Sequence, residues 1–212
     1  MADNYLEKRY EEVFGRDAGK KQTPRRPGLD TLLLRNRSYR GYDKSYVVHR
    51  RQLDALIAVN PKVASSINLQ RLRFRPVVKG PEADAVNQHI RLGRGLPELH
   101  LPFPGTEPEA FIIVCSTVPE NPGIDIDLGV SLQSMLLKAV EMGLGGIIIR
   151  NFDREPIREA LALPYEPVCV LAVGKPAEKI ELVPAHEGDN LTYYREDGVH
   201  YVPKLQVEDL TI

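Results

Sequence analysis

DLGVSLQSMLLKAVEMGLGGIIIRNFDREPIREALALPYEPVCVLAVGKP, residues 127–176, sets out a helix, a strand, a helix and a strand in that order. Leu128, Leu132, Met135, Leu136, Ala139 and Gly143 recur at three- and four-residue steps, so one stripe of the first helix is apolar and faces a core. Gly143 ends that helix, because glycine takes the left-handed conformation that a C-terminal cap requires. The β-branched run Ile147-Ile148-Ile149 then favours a buried strand. Asp153 reads as the N-cap of a helix over 154–163 that Pro164 stops, and 169–173 reads as a second buried strand before Gly174-Lys175-Pro176. A dinucleotide-binding glycine loop follows a strand and opens a helix. These glycines close a helix and open a strand, which argues against a Rossmann-type site here.

A chain of 212 residues is long enough to bury a full core as one domain. With 28 basic and 29 acidic residues the net charge is -1, so no whole-protein field recruits nucleic acid or an anionic membrane, and charged chemistry must be local. Cys115 and Cys169 both lie inside apolar runs, as small buried hydrophobes of a reducing compartment do. The acidic N-terminus has no apolar segment of a secretory signal, and no apolar run reaches membrane-spanning length, so the expected location is the cytoplasm.

Residues 5–14 fit a short amphipathic helix, followed by a basic, proline-containing stretch to Gly28 that reads as an arm; Lys20, Lys21, Arg25 and Arg26 form a solvated basic loop without aromatic partners for nucleic acid. The main domain is expected over 29–212. Leu29, Leu32 and Leu33 at helical spacing, and a second apolar stripe over 54–59, predict two core helices. Residues 74–78 and 110–117 predict strands, and the glycine- and proline-rich 86–105 predicts a loop of the kind that borders sites. Beyond Asp189, Tyr193-Tyr194 and His200-Tyr201-Val202 flank the turn Glu196-Asp197-Gly198, a hairpin expected to extend past the core and embrace a partner subunit. The five histidines have no metal-ligand spacing; His186-Glu187 with Asp189 reads as a surface turn. No serine sits in a Gly-x-Ser-x-Gly elbow.

Three short segments carry polar chemistry. Arg37-Ser38-Tyr39-Arg40 offers two guanidinium forks and a hydroxyl, a set that can grip one phosphate, although on its own it reads as a pair of surface arginines. Ser65-Ser66-Ile67-Asn68-Leu69-Gln70 offers hydroxyls and amides that suit the edge of a heterocycle with alternating donors and acceptors. Pro203-Lys204 adds a late cation.

Together and in this order, these segments resemble the nitroreductase family of flavin-dependent oxidoreductases, over most of the chain from about Leu29 onward. The early family signature, Arg-Arg-Ser-x-Arg, stands here as Asn36-Arg37-Ser38-Tyr39-Arg40, with Asn36 in place of the first arginine. The second, Pro-Ser-x-x-Asn-x-Gln-Pro, stands as Ala64-Ser65-Ser66-Ile67-Asn68-Leu69-Gln70-Arg71 and lacks both prolines. The third, Gly-Leu-Gly, a short strand and Phe-Asp, is intact. The resemblance implies an α+β, nitroreductase-like fold with a central, mostly antiparallel sheet flanked by helices. It implies a homodimer with FMN at each of two interface sites. Arg37, Ser38, Tyr39, Arg40 and Lys204 would hold the phosphate and one edge of the flavin. Ser65, Ser66, Asn68 and Gln70 would reach the ring from the other subunit, and Ile148, Ile149 and Arg150 would lie over the isoalloxazine face. It further implies ping-pong transfer of hydride from NAD(P)H through flavin N5 to a small electrophilic acceptor such as a nitroaromatic or quinone. The alternative is a non-catalytic flavin-binding or flavin-storage protein of the same fold.

Overall fold

The computed structural model describes residues 27–212. The predicted 5–14 helix and the basic arm lie outside these residues. The chain runs α1 (Leu29–Arg35), α2 (Arg50–Ile57), β1 (Leu72–Val77), α3 (Pro81–His89), β2 (Ala110–Ser116), α4 (Pro122–Glu141), β3 (Gly145–Ile149), α5 (Arg154–Ala160), β4 (Glu166–Gly174), β5 (Lys179–Ala185), β6 (Tyr194–Glu196), β7 (Val199–Leu205) and α6 (Val207–Leu210).

The central sheet has the order β1-β2-β4-β3, and each neighbouring pair is antiparallel. β2 is buried along its whole length and β4 along all but its first residue, which is why both read as unbroken apolar runs rather than alternations. Helices cover the two faces. On one face, Ile112, Val114, Leu171 and Val173 pack with Leu53 and Leu56 of α2 and with Leu128, Leu132, Met135 and Ala139 of α4. On the other, Phe111, Ile113, Val170 and Ala172 pack with Ala83 and Val86 of α3 and Ile157 of α5. Each such fully buried side chain stabilises the fold by roughly 1.5–3 kcal/mol relative to exposure.

α4 starts earlier than residue 127. The Asn121 side-chain oxygen accepts from the N–H groups of Gly123 (3.0 Å) and Ile124 (3.3 Å), and Pro122 occupies the first turn, where no N–H is needed. At the other end Gly143 has φ +74°, as its place after the helix requires. The glycines that follow serve close packing. A Cβ on Gly146 would lie 2.4 Å from the Ala172 carbonyl oxygen, and one on Gly145 would lie 2.5 Å from the Tyr39 ring.

Several expectations need correction. α1 forms as predicted but buries none of its residues, so its leucines do not face the core of their own chain. α5 ends at Ala160, before Pro164, with Ala162 in the left-handed region (φ +47°). Asp153 stands at the N-cap position of α5 as expected, but its carboxylate makes no cap hydrogen bond and instead takes both terminal nitrogens of Arg91 at 3.0 Å. The first part of the 86–105 stretch belongs to α3, and only the remainder is loop.

The C-terminal hairpin forms, with Asp197 (φ 47°) and Gly198 (φ 77°) both left-handed in its turn, as the favoured two-residue hairpin loop demands. It is not a free arm. β7 pairs in parallel with β5, giving a small sheet of order β5-β7-β6 within the same chain. Cys115 and Cys169 are free and buried, and burial pushes their thiols up to about 11 and about 12. No described helix is long and apolar enough to cross a membrane.

Candidate functional site

The segment after α1 is fastened at several points. Ser38 forms a parallel bridge with Gly146 at the outer edge of β3, and the Tyr39 N–H donates to the Gly146 carbonyl at 3.2 Å. The Tyr39 hydroxyl donates to the Arg35 carbonyl (3.0 Å) and the Tyr42 hydroxyl to the Tyr39 carbonyl (2.8 Å). Beneath them, one carboxylate oxygen of the buried Glu178 accepts from the backbone N–H groups of Arg40 and Gly41, while the other pairs with the Arg195 guanidinium.

These ties leave the charged side chains of the segment facing a cavity of about 430 Å³. Arg37, Ser38, Arg40 and Lys204, four of the residues singled out in the sequence, line it together with Asn36, Gln133, Tyr193 and His200. Arg37 donates to the Leu33 carbonyl (2.6 Å) and Arg40 to the Ser38 carbonyl (3.0 Å), yet the buried Nε of each guanidinium has no partner among the described residues. Burial holds the Arg37 pKa below its ordinary value, opposed by the nearby Tyr39. Buried, under-satisfied guanidinium donors beside a lysine suit a compact anion with several acceptor oxygens, and a phosphate monoester fits that description. Asn36, standing where the family signature has an arginine, reaches Gln133 of α4 (3.2 Å) and closes one wall.

Tyr39 lies outside this cavity, packed over Gly145. Ser65, Ser66, Asn68 and Gln70 also lie elsewhere. The Ser66 N–H donates to the buried Asp127 carboxylate (2.6 Å) and its hydroxyl to the Gly123 carbonyl (3.1 Å), so both groups are already engaged at the start of α4. Asn68 and Gln70 bond to each other (3.1 Å). Between them the backbone is under tension: Ile67, Asn68 and Gln70 have φ of 42°, 56° and 48°. For β-branched Ile67 this is a genuine outlier, and its side chain is 87 % exposed.

β3 supplies only half of what was expected of it. Ile148 is 40 % exposed, whereas Ile149 is 3 % exposed and packs in the core toward α5. Successive residues of a strand face opposite sides, so Ile149 cannot share an open face with Ile148. Arg150 is held by Asp125 (2.7 Å) and Glu120 near the start of α4.

Sequence reasoning missed His200, Tyr193, Gln133 and Glu178. The first was within reach, since His200, Val202 and Lys204 alternate along β7 and all line the cavity, so a site lysine at 204 implicates 200 by the strand period. No metal-binding group of His, Cys, Asp and Glu occurs among the described residues; His186 and Glu187 instead bind Asp209, as a surface turn.

A family model described as the Nitroreductase family matches residues 33–175. No curated protein matches the chain. Among solved structures, a nitroreductase family protein from Clostridium difficile is similar at 22 % identity and TM-score 0.56, over 72 % of this chain and 86 % of that one. A variant of an FMN and NADPH-dependent nitroreductase from Sphigopyxis sp. is similar at 19 % identity and TM-score 0.60, over 71 % and 89 %. A putative NADH dehydrogenase/NAD(P)H nitroreductase from Parabacteroides distasonis is similar at 24 % identity and TM-score 0.57, over 79 % and 96 %.

Proposed function

The chain belongs to the nitroreductase family, and from that membership we propose that it is an FMN-dependent oxidoreductase working as a homodimer, with one FMN-binding domain over 29–212. The observation that carries the reading is the cavity in which Arg37, Arg40 and Lys204 converge with unpartnered guanidinium nitrogens. A phosphate monoester carries about -1.5 to -2 charge at neutral pH, which two arginines and a lysine offset. FMN held there would supply the redox chemistry, ping-pong hydride transfer from NAD(P)H to an electrophilic acceptor such as a nitroaromatic or quinone.

The protein's part is binding, orientation and electrostatics. Arg37, Ser38, Arg40 and Lys204, which line one cavity, hold the phosphate. Exposed Ile148 offers an apolar surface on β3 for the ring. Ser65, Ser66, Asn68 and Gln70 act across a subunit boundary, which the exposed, strained Ile67 supports. So do the apolar side chains that α1 and the start of α4 leave in solvent: Leu34 is 66 % exposed and Ile126 63 %. Such surface favours association. The C-terminal segment past β7, with Val207 and Leu210 exposed, is the part that embraces the partner.

The test is a visible absorption spectrum of the purified protein, with any released chromophore identified by chromatography. Oxidised-flavin bands and about one FMN per chain are expected, followed by NAD(P)H oxidation that requires an added acceptor. A colourless protein that also refuses added FMN would sink the reading. Stoichiometric FMN without turnover would leave a flavin-binding protein.

A further inference from the structure

His200 is the least exposed polar residue at the cavity, at 1 %, and its Nδ1 is buried with no hydrogen-bond partner. A buried polar atom without a partner is costly, and its persistence calls for a reason. The imidazole is firmly placed. It sits across β7 from Arg195 of β6 and from Ile180 of β5, and its ring centroid is 5.1 Å from that of Tyr193. Tyr193 is itself fixed, since the Arg40 guanidinium lies 5.0 Å from its ring centroid and the Gly95 N–H donates to its hydroxyl (2.9 Å). The imidazole nevertheless lines the same cavity as Arg37, Arg40 and Lys204.

We propose that His200 is a further binding residue of this cavity, its imidazole donating a hydrogen bond to the phosphate group that Arg37, Arg40 and Lys204 grip. The proposal rests on the phosphate-binding reading of the cavity given above. His200 belongs to none of the three sequence signatures; it enters the site through the C-terminal hairpin.

Its surroundings make the contact dependent on protons. Burial, then Arg40 and Arg195, lower the His200 pKa, and only Glu178 opposes them; Arg37 and Lys204 add positive charge to the same cavity. The free site therefore holds a neutral imidazole with one N–H. A dianion entering the cavity offsets the surrounding cations and favours the imidazolium. Phosphate binding then takes up a proton, and affinity rises as pH falls from about 8 toward about 6.5, above the second ionisation of the phosphate itself.

The test uses the full chain stripped of cofactor, with FMN, riboflavin and inorganic phosphate as probes. Flavin affinities are read by fluorescence quenching across this pH range for the wild type, His200→Gln and His200→Phe. The His200 imidazole resonance, assigned by its contact with Tyr193, is titrated in the wild type with and without phosphate. His200→Phe should weaken FMN about tenfold and leave riboflavin unchanged, both variants should lose the wild-type pH slope, and phosphate should raise the pH at which the resonance titrates. An FMN affinity and slope unchanged in folded His200→Phe, or a resonance indifferent to phosphate, would overturn the assignment while leaving the FMN reading intact. If neither flavin binds the wild type but phosphate still moves the resonance, the FMN reading falls and the anion role of His200 stands.

Discussion

Glu178 holds Arg40 by its backbone: the buried carboxylate accepts the Arg40 N–H, and the Arg40 guanidinium is left to face the cavity. The same carboxylate pairs with Arg195 of the C-terminal hairpin, so one side chain ties the segment after α1 to β6. Removing one partner of a buried pair typically costs about 3–5 kcal/mol, because the other charge is left without compensation. Glu178→Ala should therefore lower Tm by roughly 10 °C in a chain of this size and loosen FMN as Arg40 drifts. Glu178→Gln keeps an acceptor for the two N–H groups and should lose less on both counts. Thermal melts with flavin titrations decide this, and a Glu178→Ala protein that melts with the wild type would mean the segment is held by other contacts.

On the proposed function Arg37 would do two jobs of unequal weight. Its bond to the Leu33 carbonyl satisfies one free carbonyl at the end of α1, a contribution of about 1 kcal/mol at most. A bond to a charged phosphate contributes roughly 1.5–3 kcal/mol. Arg37→Ala should melt within a few degrees of the wild type yet bind FMN at least about tenfold more weakly. Equal FMN affinity in the two proteins would remove Arg37 from the phosphate grip.

Adjacent residues of β3 should separate stability from cofactor contact. Ile149 is packed against the α5 side of the sheet, so Ile149→Ala should cost about 2–5 kcal/mol. Ile148 is partly open, so Ile148→Ala should cost much less while changing the bound-flavin spectrum. Denaturant melts and difference spectra of the two variants provide the comparison; a larger stability loss for Ile148→Ala would reverse the face assignment.

That pair also marks where the sequence stops being legible. β2, β4 and α4 could be read because their burial is set by local pattern, either an unbroken apolar run or a stripe of helical period. The stripe on α1 has the same form, but a periodic stripe says that a face will be covered and not which chain covers it. That Arg37, Arg40 and Lys204 line one cavity follows from no contact visible locally in the sequence. The engagement of Ser66 by Asp127 links residues 61 apart in sequence, beyond the reach of any periodicity. Ile149 marks another limit, since a motif carried over whole ignores the two-residue alternation of a strand, which here sets Ile148 and Ile149 on opposite faces.

Ile67 offers a test of stored strain. A left-handed conformation costs an L residue roughly 1–2 kcal/mol, a cost that glycine escapes. Its side chain, 87 % exposed, gains little burial that would offset this. Ile67→Gly should leave the isolated chain no less stable and weaken self-association, measured by sedimentation at a series of concentrations. A variant that dimerises like the wild type would exclude Ile67 from the interface.

The ligand-free protein should also have an acid limit set by His200. Its folded pKa is lowered by burial and by Arg40 and Arg195, whereas in the unfolded chain a histidine titrates near about 6.5. As pH falls through about 6.5 the unfolded chain takes up the proton first, so stability declines until the folded pKa is reached. Carboxylates with lowered pKa, such as Asp153 and Asp209, also lose stabilisation on acidification, but only as pH approaches their unfolded values near about 4. Stability between about pH 5 and 6.5 should therefore decline in the wild type and stay flat in His200→Gln, measured by denaturant melts in the absence of flavin. Saturating FMN should reduce the decline in the wild type, because the phosphate that Arg37, Arg40 and Lys204 hold favours the protonated imidazole. Parallel curves for wild type and variant would show that His200 does not govern the acid limb.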